Sequence, residues 1–419
     1  MKVKMRIIAI CLILSYSTLT DAQSIKKIDQ AKYKDSLTQA LTKFSKKSLI
    51  PGFAVAIVND KQVLYTKGFG MADIKKGIPF SPENINWVAS ISKTFVALSI
   101  IKLVELGKLN LDQPINQILP YSIVNPHYPN TPITVRHLVT HTSSMIDDAF
   151  VPYYIGEADI CIVNDSKQYD SLPAYLQPNL AYYRMGKKIS LDEHIQKYTQ
   201  PKASWYTDSS FLKKEPGKFF QYSNLGAAIA ARIVEIKSGL SFIDFTKKYI
   251  FQPLQMNHTG WNFEDVDSKL VSKIYAQNDE QKPSGVVEHP QYYMTNYPVS
   301  GLKTNAIDLS KYLIEMIRGA TGQGKLLSQK SYQLLFQPQL NCDGLNNTDS
   351  STFNDKYNIA TLWSVTAKGT VLHFGGNTGV YSFIYFNPKT KKGALAISNL
   401  RDNSFGEILT LVNKYERLF

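Results

Sequence analysis

The chain predicts an α+β fold in which strands from both ends of the sequence complete one antiparallel sheet flanked by helices. Three observations carry this. Phe53 to Val58 and Gln62 to Gly68 are short apolar or alternating runs that turn at Asn59-Asp60-Lys61, and they read as a hairpin. Four further runs of that kind close the chain: Tyr357 to Val365, Thr370 to Phe374, Tyr381 to Asn387 and Gly393 to Asn399. Between the two sets the apolar spacing and the stop signals are those of helices.

In order, residues 28 to 48 place Leu37, Leu41 and Phe44 on one side of a first helix, which Pro51-Gly52 ends. Trp87 to Phe95 reads as a short extended approach that turns into a long helix, with Ser90 at or just inside its first turn. That helix runs to about Leu106, and Gly107 caps it. Leu109 to Leu119 follows in short pieces that Pro120 interrupts. Ile133 to Ser143 predicts another helix, with Thr134 near its cap. Residues 146 to 215 are rich in Tyr, Asp and Pro and hold one helical candidate, near Ser190 to Tyr198; the stretch reads as a surface excursion able to roof a pocket. Asn224 to Lys237 is a second strong helix with Gly239 just past it, and its glycine and alanines from Gly226 to Ala231 allow close packing. A turn over Pro388 to Lys392 joins two of the last strands, and a final helix starts near Ser404.

Composition bounds the class. With 419 residues, 44% hydrophobic and 12% aromatic, the chain can bury a substantial core. Lys2, Lys4 and Arg6, then the apolar Ile7 to Leu14, then Thr20-Asp21-Ala22 form the pattern of a secretory signal over residues 1–22, so a secreted or periplasmic protein is expected. The apolar run is short for a membrane span, and Cys11 follows Ile10 where a lipid-attachment cysteine has a small residue, so no stable membrane anchor is expected. Losing Lys2, Lys4, Arg6 and Asp21 would take the formal charge from +13 to +11. That balance would favour anionic surfaces such as cell-envelope polymers, but a generally lysine-rich surface is the better reading. The basic residues are scattered and no nucleic-acid motif accompanies them, which argues against a nucleic-acid partner. Cys161 and Cys342 remain after cleavage, and an oxidising compartment would permit a disulfide that the sequence alone does not place.

Three stretches can carry chemistry. Ser90 and Lys93 are three apart, so on a helix the hydroxyl and the amine share a face. Backbone N–H groups at a helix start suit a developing anion. The spacing alone decides nothing, because Ser-x-x-Lys also starts at Ser24, Ser99, Ser210 and Ser300. Tyr222 and Asn224 stand two apart just before a helix, although Tyr-x-Asn recurs at Tyr128 and Tyr385. His373-Phe374-Gly375-Gly376 puts a histidine on a strand and then glycines that let another group approach the backbone. His137 and His141 are four apart, but no glutamate of the zinc-protease pattern follows His137 and no third ligand is evident. Packing or hydrogen-bonding roles suit them better. No metal and no cofactor is expected.

Together these stretches resemble the serine β-lactamase and penicillin-binding-protein superfamily, in its class C-like branch of DD-peptidases, esterases and β-lactamases. Arg136 to Ser143, Pro253 to Met256, and Ser300 to Thr304 before Asp308-Leu309 also fit, so the resemblance covers about Ile50 to Leu400. It implies a sheet lobe (about 23–85 and 270–419) and a mostly helical second lobe (about 86–269) with the site between them, all within one catalytic domain over 23–419. By the resemblance Ser90 is a nucleophile that forms an acyl-enzyme, with Lys93 and Tyr222 as the candidate bases. A serine hydroxyl needs such help, and a cation beside a second proton-carrying group eases loss of its proton. Asn224 would orient the acyl-side amide or hold Lys93, and the N–H groups of Ser90 and Gly376 would bind the oxyanion. The β-lactamases of this branch usually carry Lys-Thr-Gly where this chain has His373-Phe374-Gly375, a version closer to the peptidases and esterases. A histidine anchors a substrate carboxylate less firmly than a lysine. Ser144 stands where a glycine is common. The expected activity is hydrolysis of a D-amino-acid peptide, a cell-wall-derived one among the candidates, or of a small ester. The alternatives are a true class C-like β-lactamase and a non-catalytic binding protein of the same fold.

Overall fold

The computed structural model describes residues 30–146, 160–162, 189–277, 285–340 and 357–419. The leader expected over residues 1–22, most of the 146–215 excursion, and Cys342 with its possible bond to Cys161 lie outside the described residues.

Alternation along the first strand divides the molecule. In Gly52–Asn59, Phe53, Val55 and Ile57 face one core, while Ala54, Ala56 and Val58 face another. The first core lies under the 30–47 helix, which contributes Leu37, Leu41 and Phe44, and under the Phe405–Glu416 helix, which contributes Phe405, Ile408 and Val412. The second and larger core lies between the sheet and the remaining helices. The Ala306–Ala320 helix packs across Gly52–Asn59 and Lys392–Ser398 on that side, and the small Ala54 and Ala56 leave it room.

The sheet has eight strands among the described residues, with neighbours antiparallel throughout. Their order is Tyr357–Ile359, Ser364–Thr366, Val371–Asn377, Val380–Asn387, Lys392–Ser398, Gly52–Asn59, Val63–Asp73 and Ile78–Pro79. N-terminal strands thus complete a C-terminal sheet, as the sequence predicts. One expected strand is two. Tyr357 to Val365 reverses at Ala360–Trp363, where Ala360 N–H donates to Trp363 O (2.8 Å) and Leu362 has φ +50°. The residues of that turn are buried in the main core, so in sequence they read like strand. The second piece pairs with Val371–Asn377 only through Ser364–Leu372 and Val365–Val371. Past Leu372, the His373–Asn377 edge has no strand partner on that side among the described residues.

Central to the helical side is Ser92–Glu105, buried along most of its length. It packs on Asn224–Ser238, whose Ala227, Ala228, Ala230 and Ala231 permit close approach. Its end is a Schellman turn: Gly107 (φ +67°) donates to Val104 O and Lys108 donates to Leu103 O, both at 3.0 Å. The Ile133–Ser143 helix is shorter than expected, running Val135–Val139 from its Thr134 cap. His141 takes φ +56° and Ser144 φ +60°, which breaks the helix and accounts for the fit of a glycine at position 144.

Candidate active site

Ser90 stands on a 3-10 turn, Ala89–Ile91, that leads directly into the Ser92–Glu105 helix, so it lies at the helix start and not inside the α-helix itself. Several contacts hold this turn. Val88 N–H donates to Leu302 O (3.0 Å), Ser92 Oγ donates to Ala89 O (2.6 Å), and Leu302 N–H donates to Ser92 Oγ (3.1 Å). Ser382 Oγ donates to Val88 O at 2.8 Å and ties the turn to the sheet. Ala89 carries φ +44°, a left-handed conformation that costs a non-glycine residue roughly 1–2 kcal/mol. The strain sits immediately before the hydroxyl.

Gly375 lies against the same turn. A Cβ at that position would collide with Val88 O and Ser382 Oγ and would stand 3.1 Å from Ser90 N, so only a glycine lets the strand come this close. Gly376, the next residue, pairs opposite Tyr381. A Cβ there would meet the Tyr381 ring at 3.2 Å and Arg401 Nε at 3.8 Å, a milder crowding.

Lys93 is fully buried. Its Nζ donates to Ser90 Oγ at 3.0 Å and to Val299 O at 2.9 Å, and it lies 5.0 Å from the centre of the Tyr222 ring. Tyr222 reaches this position from the loop before the Asn224–Ser238 helix, whose cap Ser223 accepts from Gly226 N–H (2.9 Å). Asn224 is the first residue of that helix. The structure therefore brings together the serine, the amine and the phenol from segments about 130 residues apart in sequence.

His141 was not among the expected site residues, yet it belongs to this cluster. Its ring packs on Tyr222 with centroids 4.4 Å apart, its Nδ1 accepts from Ser223 N–H (3.2 Å), and its carbonyl accepts from Gln221 N–H (2.8 Å). The loop that carries Tyr222 is thereby held at both sides. Burial first, then the charge of Lys93, then His373, hold the His141 imidazole well below the usual range, and the bond that Nδ1 accepts from Ser223 N–H requires the uncharged ring. It is neutral, with its proton on Nε2. His373 is buried too, and its Nδ1 lies 2.6 Å from Phe374 O, which makes Nδ1 the donor and Nε2 the acceptor. Burial and then Lys93 push His373 down to about 3, against the hydrogen bond to Phe374. At neutral pH neither ring offers a charge to a substrate carboxylate. His137 is no partner of His141 in a metal pair: its Nδ1 accepts from Thr134 N–H (3.3 Å) and its ring covers Gly217. Among the described residues no group of three potential ligands forms a metal site.

What a half-buried serine against a buried lysine beside a sheet edge belongs to is decided by comparison. A protein-family model described as Beta-lactamase matches residues 37–414. The chain belongs to the beta-lactamase family. It is similar to Protein flp of Staphylococcus aureus (strain MW2), 24% identical over 368 residues that cover 88% of this chain and 63% of that protein. The chain thus spans just under two thirds of that relative's length. Among solved structures it is similar to EstCE1, a hydrolase with promiscuous acyltransferase activity (TM-score 0.70, 17% identity, 94% of this chain and 99% of that one). It is also similar to a D-amino acid amidase from Ochrobactrum anthropi SV3 (TM-score 0.65, 18% identity, 92% and 99%). At these identities the likeness is one of fold, and it agrees with the sheet and helical lobe described above. Among the described residues no helix is long and apolar enough to cross a membrane. Within this beta-lactamase-family frame, His141 could have been noticed in the sequence only through the Arg136–Ser143 stretch, whose fit gives no hint that its histidine meets Tyr222.

Proposed function

We propose that this protein is an exported serine acyl-hydrolase that acts through an acyl-enzyme on Ser90, with an amide, peptide or ester as substrate. One observation supports this above the others: Lys93 Nζ is 3.0 Å from Ser90 Oγ and lies against the Tyr222 ring. Ser90 Oγ attacks the carbonyl carbon and its proton passes to whichever of Lys93 and Tyr222 has already given one up, the amine as free base or the phenol as phenolate. The N–H groups of Ser90 and Gly376 take the oxyanion, and removing such a donor costs on the order of 100- to 1000-fold in other hydrolases. The leaving amine or alkoxide collects the proton as the carbonyl bond to it breaks, and water then hydrolyses the Ser90 ester. Asn224 orients the acyl side. The relatives described as an amidase and as a hydrolase support amide and ester chemistry. The neutral His373 argues against efficient turnover of β-lactams, whose carboxylate wants a cation. The signal-like residues 1–22 support export.

A fluorophosphonate or fluorescent penicillin probe tests the reading. Labelling of the wild-type protein that disappears in Ser90→Ala supports it, and a protein that no acylating probe labels is a binding protein with an inherited fold. Turnover of a chromogenic cephalosporin with none of a nitrophenyl ester or a D-Ala-D-Ala peptide would reverse the ranking of substrates.

A further inference from the structure

On the side of Tyr222 and His373 the molecule holds a cavity of about 340 Å3, within the range of small-molecule sites. Phe220, Ile359, Leu362, Trp363 and Phe374 wall it with rings and aliphatic groups. Tyr222, His141 and His373 form the wall it shares with the site. Among the described residues no lysine, arginine, aspartate or glutamate lines it. The cavity meets the sheet at Leu372–Phe374, where pairing with the neighbouring strand stops among the described residues.

The position identifies which half of a substrate would enter. A carbonyl under attack sits over Ser90, and Tyr222 stands beside the amine that touches Ser90. A group that returns the proton at Tyr222 returns it to the departing atom, so what lies beyond Tyr222 and His373 is the departing half. We propose that this cavity is the leaving-group pocket, and that it takes the uncharged apolar or aromatic alcohol or amine of an ester or amide in preference to the carboxylate end of a peptide. The proposal rests on the acyl-hydrolase reading above and narrows it. A carboxylate entering the pocket would lose its hydration against aromatic walls and two imidazoles that carry no charge. The nearby ammonium, that of Lys93, is already engaged by Ser90 and Val299 O. The chemistry is unchanged: the bond from the carbonyl carbon to the departing oxygen or nitrogen breaks, that atom takes the serine's proton, and the acyl group stays on Ser90 until water releases it.

The test uses two esters with one acyl group, phenyl phenylacetate and 3-carboxyphenyl phenylacetate, on the protein lacking residues 1–22. Since both give the same acyl-enzyme, differences in kcat/KM report acylation alone. The uncharged ester should be preferred by about tenfold or more. Ser364→Lys, which brings an ammonium to the cavity wall, should shift the ratio toward the carboxylate ester by about tenfold. A wild-type preference for the carboxylate ester overturns the pocket assignment. If Arg401→Ala then removes that preference, the anion site lies at the Gly376 end of the strand instead. Failure of both esters together with failure of a fluorophosphonate to label Ser90 overturns the acyl-hydrolase reading itself. Labelled Ser90 with a preference for the charged ester overturns only the pocket.

Discussion

Ser90–Lys93 and Ser300–Lys303 share one spacing, and both lysines are buried, at 0% and 2% exposure. Their amines nevertheless meet opposite surroundings. Lys93 follows its serine into a helix, so the two side chains share a face and Nζ reaches Oγ. Lys303 lies on a two-residue strand, Lys303–Thr304, beyond the short Tyr297–Ser300 helix. Its Nζ donates to Trp261 O (2.9 Å) and Gly301 O (3.1 Å) and packs over the rings of Trp87 (3.9 Å) and Phe263 (4.4 Å). One amine faces groups that can exchange a proton. The other faces carbonyls and ring faces, which can only hold a cation. What separates them is the backbone between serine and lysine, not the spacing.

The largest effect expected is that of Lys93→Met. It should lower kcat/KM on an ester by about 1000-fold, near 4 kcal/mol of transition-state stabilisation, with little change in Tm. Steady-state kinetics beside a thermal melt check it, and a variant that keeps its rate would make the two lysines equivalent. Tyr222→Phe should follow with a loss of about 100-fold and an intact fold. Wild-type rates in that variant would take the phenol out of the chemistry and leave Lys93 as the base.

The same contrast explains how far the sequence could be read. The hairpin was legible because alternation over Phe53 to Val58 corresponds directly to two buried faces. The Gly107 and Gly239 helix ends were legible because both take the left-handed conformation that such caps require. The break at Ala360–Trp363 was not, since an apolar run does not reveal a φ of +50° at Leu362. The short extent of the Val135–Val139 helix was hidden in the same way, by His141. Three of the site's segments carry a recognisable pattern. His141 acts through a ring contact with a residue 81 positions away in sequence, which no local spacing encodes. Gly375 was legible as a place of close approach, but the partner it approaches, Val88 O, was not.

Lys303→Met should show the complementary loss. Removing a cation from two carbonyls and two ring faces should cost about 2 kcal/mol of stability while kcat/KM stays within about threefold. Chemical denaturation measures the first and ester hydrolysis the second. A catalytic loss comparable to that of Lys93→Met would erase the distinction between the two amines.

The smallest effect concerns how far the charge on each lysine reaches. His373 is pushed down to about 3 by burial first and by Lys93 second, and His141 is lowered by the same two causes in the same order. Lys93→Met removes the second cause and leaves the first. The His373 titration, followed by NMR, should therefore rise and still end below the ordinary 6.5. Lys303→Met should not move it, because Lys303 is not among the groups that shift it. Stability follows with a definite sign. Since the folded imidazole holds its proton less tightly than the unfolded one, the unfolded chain protonates first as pH falls below 6.5. The His373 imidazole then subtracts at most about 1.4 kcal/mol per pH unit, until the folded ring protonates as well near 3. A rise in the folded value closes that window from below. Lys93→Met should accordingly lose stability over a narrower acid range than the wild type, while Lys303→Met, lower overall, should run parallel to it. Acid dependences that change equally in both variants would mean that the histidines respond to burial alone and that the amine beside Ser90 exerts no field of its own at His373.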